Sequence, residues 1–323
     1  MNVLVLLNAA AGTLVASTSG DEAERIARRF ADRGHAADVR SVPGDQLADV
    51  TRAARDSGKY DLIVAGGGDG TLNTVAAQLV DSAVAFGVLP LGTFNHLALE
   101  LGLPLDLDGA VDALADGRTV GFSVGRVNDQ IFLLFSAVGL YSDVVRHRDA
   151  QRKVLGRKKM WAYTVAFFKM LTRWPLMRVR LVPTDGTPPV KRLTPAVLVA
   201  LSDYQIRRLG AEDFSCTHRR SLNFYLARRT SRIGMIWLVL KGFARRVRPP
   251  ADFDVVCTPA ADLRLRRRHT RVAIDGEVID LPAPLKYEVL RDALRMRVPA
   301  AYAEREDDAP RPPDRAEAPA TAR

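Results

Sequence analysis

The first 118 residues alternate between strand-like runs and amphipathic segments. The predicted strands cover residues 2–7, 36–42, 61–65 and 83–91. The segments between them, DEAERIARRFADRG, DQLADVTRAARDSG and TLNTVAAQLVD, have helical spacing of apolar positions. Strands that alternate with helices are typical of a parallel sheet covered on both faces. We therefore predict an α/β fold, with a parallel α/β domain over residues 1–118.

Beyond residue 118 the pattern changes to short β-like runs. These runs lie at 119–127, 130–138, 176–182, 196–201, 221–227, 253–257, 262–267, 271–274 and 285–298. Only two stretches, near 155–173 and 231–244, have a helical pattern, so we predict a second, β-rich domain over 119–284. The tail, 303–323, combines four prolines with mixed charge and is predicted to be disordered.

The basic residues are unevenly distributed along the chain. Lys and Arg total 47 against 37 acids, a net charge of +10. Between Arg146 and Arg192 there are thirteen basic residues and two acids, and between Lys241 and Arg271 nine and three. Such patches suit phospholipid, nucleic acid or a polyphosphate ligand, although a solvated basic face without a partner explains them equally well.

The cysteines and apolar stretches bear on the compartment. Cys216 and Cys257 fit no metal-binding spacing, so we expect no important disulfide and a reducing, cytoplasmic location. The apolar N-terminus has no Lys or Arg before Arg25, which favours a buried first strand over a signal peptide. The longest other apolar run, 131–141, is too short to cross a bilayer, so we expect no integral membrane segment.

A glycine-rich loop follows the third predicted strand. Glycines occupy positions 66, 67, 68 and 70, with Asp69 among them. In a parallel sheet this loop lies where ligands bind, and glycines followed by a helix favour a phosphate site over a simple tight turn. No Lys follows, so the loop is not a P-loop. Because a carboxylate repels phosphate unless a cation intervenes, Asp69 indicates a Mg²⁺–nucleotide and phosphoryl transfer.

Four segments in order resemble the diacylglycerol kinase and lipid kinase family. GGGDGTLN (66–73) resembles the GGDGT signature that this family shares with sphingosine kinases, NAD kinases and phosphofructokinases. LPLGTFNHLALELGLP (89–104) and VAIDGEVID (272–280) resemble motifs of the lipid kinase branch, and LNAAAGT (7–13) is a weaker match. The resemblance implies a fold like that of NAD kinase and diacylglycerol kinase, in which a β-sandwich domain faces the nucleotide domain. It also implies that the chain near 285–302 returns to the first domain.

The resemblance also implies which residues bind ATP and Mg²⁺. Asp69 would hold Mg²⁺, directly or through water. Thr93 would line the cleft, or alternatively cap the helix that follows it. The residues implied to contact the nucleotide are Asn8, Thr13, Gly67, Gly68, Gly70, Thr71 and Thr93.

Two acids compete for the role of general base. Glu277 is our first choice, because a lipid hydroxyl needs a carboxylate near the γ-phosphate. The aspartate of the glycine loop has this role in the sphingosine kinase branch, so Asp69 is the other candidate. By itself the sequence Asp275-Gly276 before Glu277 would suggest an ordinary β-turn, and Asp275 is expected to act as a support or on the Mg²⁺ side.

The chain departs from the family pattern at several positions. His96 stands where the family has Asp, and Thr74 stands where it has Glu. The DGxLD stretch that holds a structural Mg²⁺ in bacterial members is missing near 200–225, so no such metal site is predicted. Asp203 and Asp213 are left without a role.

The helical pattern at 158–174 suggests a contact with the membrane. Its aromatic and aliphatic residues share one face and are ringed by lysines and arginines, which fits a helix on an anionic bilayer as well as a helix packed in the core. We predict an ATP- and Mg²⁺-dependent lipid kinase that phosphorylates diacylglycerol as a cytoplasmic protein at the inner face of the membrane. The alternatives are an NAD kinase-like enzyme and a catalytically silent nucleotide- or lipid-binding protein; binding to nucleic acid is supported only by the charge.

Overall fold

The computed structural model describes residues 1–10, 19–140, 176–201, 221–228 and 252–307, together with the single positions 231, 234 and 241. The helices are α1 (Ser19–Ala31), α2 (Leu47–Asp56), α3 (Asp69–Ala77), α4 (His96–Leu101), α5 (Leu107–Ala115) and α6 (Ala300–Asp307). The strands are β1 (Asn2–Asn8), β2 (Ala36–Val42), β3 (Leu62–Gly67), β4 (Ala85–Pro90), β5 (Arg118–Val127), β6 (Gln130–Phe132), β7 (Phe135–Gly139), β8 (Met177–Pro183), β9 (Val190–Thr194), β10 (Ala196–Ala200), β11 (Leu222–Ala227), β12 (Phe253–Thr258), β13 (Ala260–Leu265), β14 (His269–Ile274), β15 (Glu277–Pro282) and β16 (Leu285–Val298).

The larger sheet has ten strands and begins with the four N-terminal ones. Its order is β2-β1-β3-β4-β16-β13-β8-β9, with β5 paired to β16 and β6 paired to β5. Strands β2, β1, β3 and β4 are parallel, as the alternation of strands and helices predicts. Beyond β16, which pairs in parallel with β4, the sheet is antiparallel.

Helices cover both faces of the parallel part. Helix α1 packs beside α5 on one face, and α2 packs beside α3 on the other. Because both faces are covered, β3 and β4 are buried along their full length. Between α1 and α5, Arg29 forms a bidentate ion pair with Asp112, with N–O distances of 2.9 and 2.7 Å.

The second sheet has six antiparallel strands, in the order β12-β11-β10-β7-β14-β15. Its inner face and the antiparallel part of the larger sheet share one apolar core, to which Leu181 and Leu263 contribute from one sheet and Phe224 and Val272 from the other. Two sheets that share a core in this way form a sandwich. The predicted fold class, a parallel α/β sheet with a second β-rich unit, is confirmed.

Several details differ from the sequence predictions. Helix α5 and the strands β9 and β15 were not predicted. Helix α6 continues to Asp307, and Ala303 within it is fully buried. The first residues of the predicted disordered tail are therefore helical. Cys257 is disulfide-bonded, so the expectation of no disulfide is wrong.

Other predictions lie outside the described residues. This group comprises the helix at 158–174, most of the helix near 231–244, Asp203 and Asp213.

Strand β16 lies between β4 and β13, so residues 285–298 connect the parallel part of the larger sheet with its antiparallel part. The boundaries of the two domains stay a prediction. Among the helices that the structure describes, none combines the length and apolar character that crossing a bilayer requires.

Candidate active site

The candidate site lies at the carboxyl ends of β1 and β3. The connection after β1 runs to β2, on one side, and the connection after β3 runs to β4, on the other. The ends of β1 and β3 are therefore a switch point, where parallel sheets have a crevice for ligands. Asn8 ends β1, and Gly67 ends β3 beside Pro90 of β4. The side-chain amide of Asn8 donates a hydrogen bond to Oγ1 of Thr71, 2.8 Å away, which joins two of the predicted nucleotide residues.

Two glycines of the loop, Gly66 and Gly67, lie where an added side chain would collide with a neighbouring one. A Cβ atom on Gly67 would lie 2.7 Å from the side chain of Thr71, and one on Gly66 would lie 2.6 Å from Leu7 Cδ2. A Cβ on Gly92, in the loop after β4, would lie 2.6 Å from the Cα of Gly68, so these two loops touch backbone to backbone. The glycines therefore let the two loops close on each other, in addition to any role in phosphate binding.

Helix α3 begins at the glycine loop with an uncapped N-terminus. Its N-cap residue is Gly68, which has no side chain to accept a hydrogen bond from the first turn. The first amides of a helix have no partner within the helix and carry its partial positive charge. Among the described residues, the atom nearest to a Cβ on Gly68 is 3.9 Å away, so space remains beside these amides. Such a helix start is suited to a phosphate group.

Asp69 lies in the first turn of α3 and is partly buried. Burial raises the pKa of its carboxyl above the ordinary value, while backbone amides at Leu97 and His96 in α4 oppose that rise. Within the described part of the chain, its buried Oδ1 has no hydrogen-bond partner. An open carboxylate oxygen beside a phosphate-type loop fits a Mg²⁺ ligand. No cluster of three His, Cys, Asp or Glu side chains occurs in the same described residues, so phosphate and water would supply the other ligands.

Asp275 occupies the turn between β14 and β15 and is buried. It has a φ of 44° and Gly276 a φ of 93°, as a two-residue hairpin turn of the type favoured by Asp-Gly requires. Its carboxylate accepts backbone N–H bonds from Leu133 (2.7 Å), Leu134 (3.0 Å) and Phe135 (3.0 Å). Burial raises the pKa of this carboxyl despite these donors.

A fourth donor to Asp275 comes from the glycine-loop side of the site. The amide of Asn73, on α3, donates one bond to Asp275 Oδ2 at 2.8 Å and one to the carbonyl of Ile131 at 3.1 Å. Both oxygens of Asp275 are therefore engaged by N–H donors. Of the two expected roles for Asp275, this arrangement fits the support and not the Mg²⁺ side.

Glu277 follows the turn and is exposed. A Cβ atom placed on Gly70 would overlap its carboxylate and lie 2.7 Å from its Cδ. A side chain at position 70 would therefore displace the Glu277 carboxylate, because this acid from the six-stranded sheet approaches the first turn of α3. The structure brings Glu277, Gly70 and Asp69 together at one crevice, as the resemblance implied.

The segment after β4 excludes one of the two roles expected of Thr93, and its place in the cleft stays a prediction. Thr93 is exposed, and the N-cap of α4 is Asn95, so Thr93 is not the cap. Asn95 accepts a hydrogen bond from the Gly92 amide at 2.8 Å and donates one to the Pro90 carbonyl at 3.0 Å, which fixes the loop. His96, at the position of the family's Asp, stacks on Phe94 with ring centroids 5.5 Å apart.

The predicted site residues fall into two groups. Asn8, Asp69, Thr71 and the three predicted glycines of the loop meet at the crevice together with Glu277, whereas Thr13 lies outside the described residues. Sequence reasoning missed the link from Asn73 to Asp275. The only signal for it was that Asn73 directly follows the glycine signature, and spacing alone does not identify a partner 202 positions away.

Fold and site together define a two-domain α/β protein with a glycine loop and a carboxylate on opposite sides of a crevice. Residues 2–127 match the family model described as diacylglycerol kinase catalytic domain. The resemblance inferred from the motifs is thereby confirmed for the N-terminal part of the chain.

Individual relatives agree with this family match. The chain is similar to a diacylglycerol kinase of Staphylococcus epidermidis, with 33% identity over 146 residues, which are 44% of this chain and 45% of the relative. A diacylglycerol kinase of Staphylococcus haemolyticus is 32% identical over 141 residues, which are 43% of this chain and 41% of the relative. The matched region thus spans less than half of each relative.

A solved structure extends the likeness to nearly the whole fold. The crystal structure of a diacylglycerol kinase from Bacillus anthracis strain Sterne superposes with a TM-score of 0.69 at 19% identity. The superposition covers 93% of this chain and 98% of the other. At this identity the likeness shows a shared fold.

Proposed function

We propose that the protein is a lipid kinase that transfers the γ-phosphoryl group of ATP to the hydroxyl of diacylglycerol at a membrane surface, with Mg²⁺. The observation that carries this proposal is the approach of Glu277 to Gly70. It brings a carboxylate to the start of a helix suited to phosphate, which is the arrangement that phosphorylation of an alcohol needs. The family match and the named relatives support the same activity.

The phosphates of ATP would lie over the glycine loop. Backbone amides at the start of α3 would bind the phosphate oxygens, and the contact between Gly68 and Gly92 holds the loop in place before binding. Asn8 and Thr71, already hydrogen-bonded to each other, would line the same edge. Asp69 would hold Mg²⁺, which would neutralise the charge on the phosphates.

Glu277 would act as the general base. It is exposed, whereas Asp69 is partly buried and lies against the backbone amides of α4, so Glu277 is better placed to reach a lipid hydroxyl. The hydroxyl oxygen forms a bond to the γ-phosphorus as the bond to the β–γ bridging oxygen breaks. The hydroxyl proton passes to Glu277, and ADP leaves with the electron pair.

The substitution at position 96 favours one alternative, a catalytically silent nucleotide- or lipid-binding protein. The family's Asp is replaced by His96, whose ring stacks on Phe94. A His cannot replace a permanently anionic group at neutral pH. In this alternative the crevice binds ATP without transferring phosphate.

An assay with labelled ATP, Mg²⁺ and mixed micelles of candidate lipids tests the proposal. We expect a phosphorylated diacylglycerol, and no product when NAD replaces the lipid. Product with NAD alone would identify an NAD kinase-like enzyme. Tight ATP binding with no product from any lipid would identify the silent protein.

The variant Glu277→Gln tests the base. We expect turnover to fall about 10³-fold with ATP binding retained, because Gln cannot accept the proton. The matched control is Asp280→Asn on the same hairpin, where an exposed acid lies 3.4 Å from His269; it should turn over normally. Normal turnover in Glu277→Gln would exclude this residue as the base and leave Asp69 as the candidate.

A further inference from the structure

The outer face of β9, β8 and β13 carries four cations that we call the cationic row: Arg178, Arg180, Lys191 and Arg264. The strand register places Arg180 directly opposite Lys191 on one side and Arg264 on the other. Arg178 lies two positions before Arg180 and therefore on the same face of β8. All four side chains are exposed.

This arrangement is unfavourable for the sheet itself. Like charges directly opposite each other on neighbouring strands destabilise the pairing. Among the residues that the structure describes, Arg264 has a single ion pair, with Asp262 at 3.4 Å, and the other three members of the row have none. In helix α1, by contrast, the charge of Arg29 is neutralised by an ion pair with Asp112. The row therefore carries several positive charges that no acid of the described residues neutralises, apart from the pair of Arg264 with Asp262.

A cleft of about 450 Å³ and two exposed leucines accompany the row. Six of the residues that line the cleft are cationic: Arg178, Arg180, Lys191, Arg192, Arg264 and Arg266. Leu193, directly opposite Arg178, is 42% exposed, and Leu176, just before β8, is 39% exposed. Large apolar side chains beside cations suit a surface that offers both negative charge and an apolar layer.

We propose that the cationic row docks the protein on a bilayer of anionic phospholipid. The cations would bind headgroup phosphates, and the leucines would enter the boundary between headgroups and acyl chains. The leucines favour a bilayer over a nucleic acid, whose phosphate backbone offers no apolar layer. This docking rests on the proposed function in one respect, because diacylglycerol resides in a membrane.

The test is sedimentation of the full chain with vesicles of phosphatidylglycerol and phosphatidylcholine, compared with phosphatidylcholine alone. The triple variant Arg178→Gln, Arg180→Gln, Lys191→Gln removes three charges without breaking an ion pair among the described residues. We expect roughly a hundredfold weaker binding to the anionic vesicles. Its unfolding temperature should not fall, because the substitutions relieve repulsion between neighbouring strands.

A matched triple controls for net charge. The control Arg28→Gln, Arg52→Gln, Lys59→Gln removes the same number of charges from the region of α1 and α2, at the other end of the large sheet. We expect at most a few-fold loss of vesicle binding. A loss in the first triple no larger than in this control would overturn the proposal.

The leucine contribution has its own pair of variants. Leu193→Ser should weaken vesicle binding about tenfold, with the loss persisting at high salt. Leu105→Ser, at a position that is 53% exposed in another part of the fold, should have no effect. Equal binding by the two variants would show that Leu193 does not enter the bilayer and would overturn this part of the proposal.

Two further measurements distinguish this docking from nucleic-acid binding and from catalysis in the crevice. If the charge triple loses binding to single-stranded DNA but keeps vesicle binding, the face is a nucleic-acid interface and the proposal is wrong. Phosphorylation of a soluble short-chain diacylglycerol should be unchanged in the triple, since the row lies outside the crevice. Vesicle binding that depends on the row, in a protein without kinase activity, would contradict the proposed function and leave the docking intact.

Discussion

The turn between β14 and β15 and the loop between β3 and α3 meet at the crevice, but their polar groups are satisfied differently. Asp275 in the turn accepts four N–H bonds through its two oxygens. Asp69 beside the loop keeps one buried oxygen without a hydrogen-bond partner among the described residues, and α3 begins without a side-chain cap. Burial raises the pKa of both carboxyls.

This difference in hydrogen bonding indicates that Asp275 positions the chain, whereas Asp69 is available to bind a ligand. A carboxylate that accepts four N–H bonds, as Asp275 does, has no lone pair left for a ligand, but it fixes the chain around it. Glu277 is only two residues beyond Asp275 and begins β15. The hydrogen bonds to Asp275 therefore also fix the position of Glu277. The loop leaves its amides and one oxygen of Asp69 available to a phosphate and its cation.

Among the variants that leave both acids in place, the largest effect on activity should follow from filling the space between Gly70 and Glu277. In Gly70→Ala the added methyl group would occupy the place of the Glu277 carboxylate and displace it. We expect kcat to fall about 100-fold, equivalent to about 2.7 kcal/mol, because a displacement of this size misaligns the base. Steady-state kinetics with diacylglycerol would measure this loss.

A double variant is the control for Gly70→Ala. If the methyl group acts through Glu277, it should cost little further activity in a Glu277→Ala background. Full additivity of the two losses would show that Gly70 matters for another reason, such as direct contact with phosphate.

A smaller effect, on stability, should follow from Asp275→Asn. The Asn side chain offers one acceptor oxygen, so two of the four N–H donors would lose their partner. We expect the free energy of unfolding to fall by about 2 kcal/mol. Urea unfolding would measure it, with Asp280→Asn as the exposed control, which should change stability by less than about 0.5 kcal/mol. Equal effects in the two variants would contradict the positioning role.

Asn73→Ala should weaken the same turn less than Asp275→Asn does. It removes the bonds to Asp275 and Ile131 but leaves Asp275 with three amide donors. We expect a loss of about 1 kcal/mol in stability and about tenfold in kcat, since the base becomes less well placed. Gln78→Ala, at the other end of α3, should keep normal kcat. A loss of stability with unchanged kcat in Asn73→Ala would limit this residue to a structural role.

The sequence predicted the glycine loop better than it predicted the environment of Asp275 in the turn between β14 and β15. The alternation of strands and helices placed the glycine loop at the carboxyl end of β3, because local periodicity determines where a parallel strand ends. The Asp-Gly pair predicted the turn, since this pair adopts the required positive φ values. The burial of Asp275 could not be predicted, because its donors lie on β6–β7 and α3, far away in the sequence.

The missed elements have local causes. Strand β9, VKRLT, carries two cations in five residues and resembles a loop until its pairing with β8 is known. Helix α5 is short, and its apolar residues follow two aspartates that suggest a turn. The role of the glycines in packing is also a tertiary property, because the atoms that exclude a side chain at Gly66 and Gly70 come from other strands.

Asp69→Asn should change the stability by a small amount, with a sign opposite to that of Asp275→Asn. Because burial raises the pKa of Asp69, the folded protein binds a proton more readily than the unfolded chain does. Above the pKa of the folded state the buried charge therefore costs stability, and Asn removes this cost. We expect the variant to be more stable at neutral pH by about 1 kcal/mol, although it would lose the Mg²⁺ ligand and activity.

The pH dependence makes this prediction specific to the charge. Stability of the normal protein falls as pH rises from the ordinary pKa of Asp, about 3.9, to the raised value in the fold. The advantage of Asp69→Asn should therefore be largest at pH 7 and vanish near pH 4, as urea unfolding at the two values would measure. An advantage that is equal at both values would mean that Asn improves packing. A loss of stability at pH 7 would mean that the carboxylate of Asp69 has partners that Asn cannot satisfy, and the contrast with Asp275 would then fail.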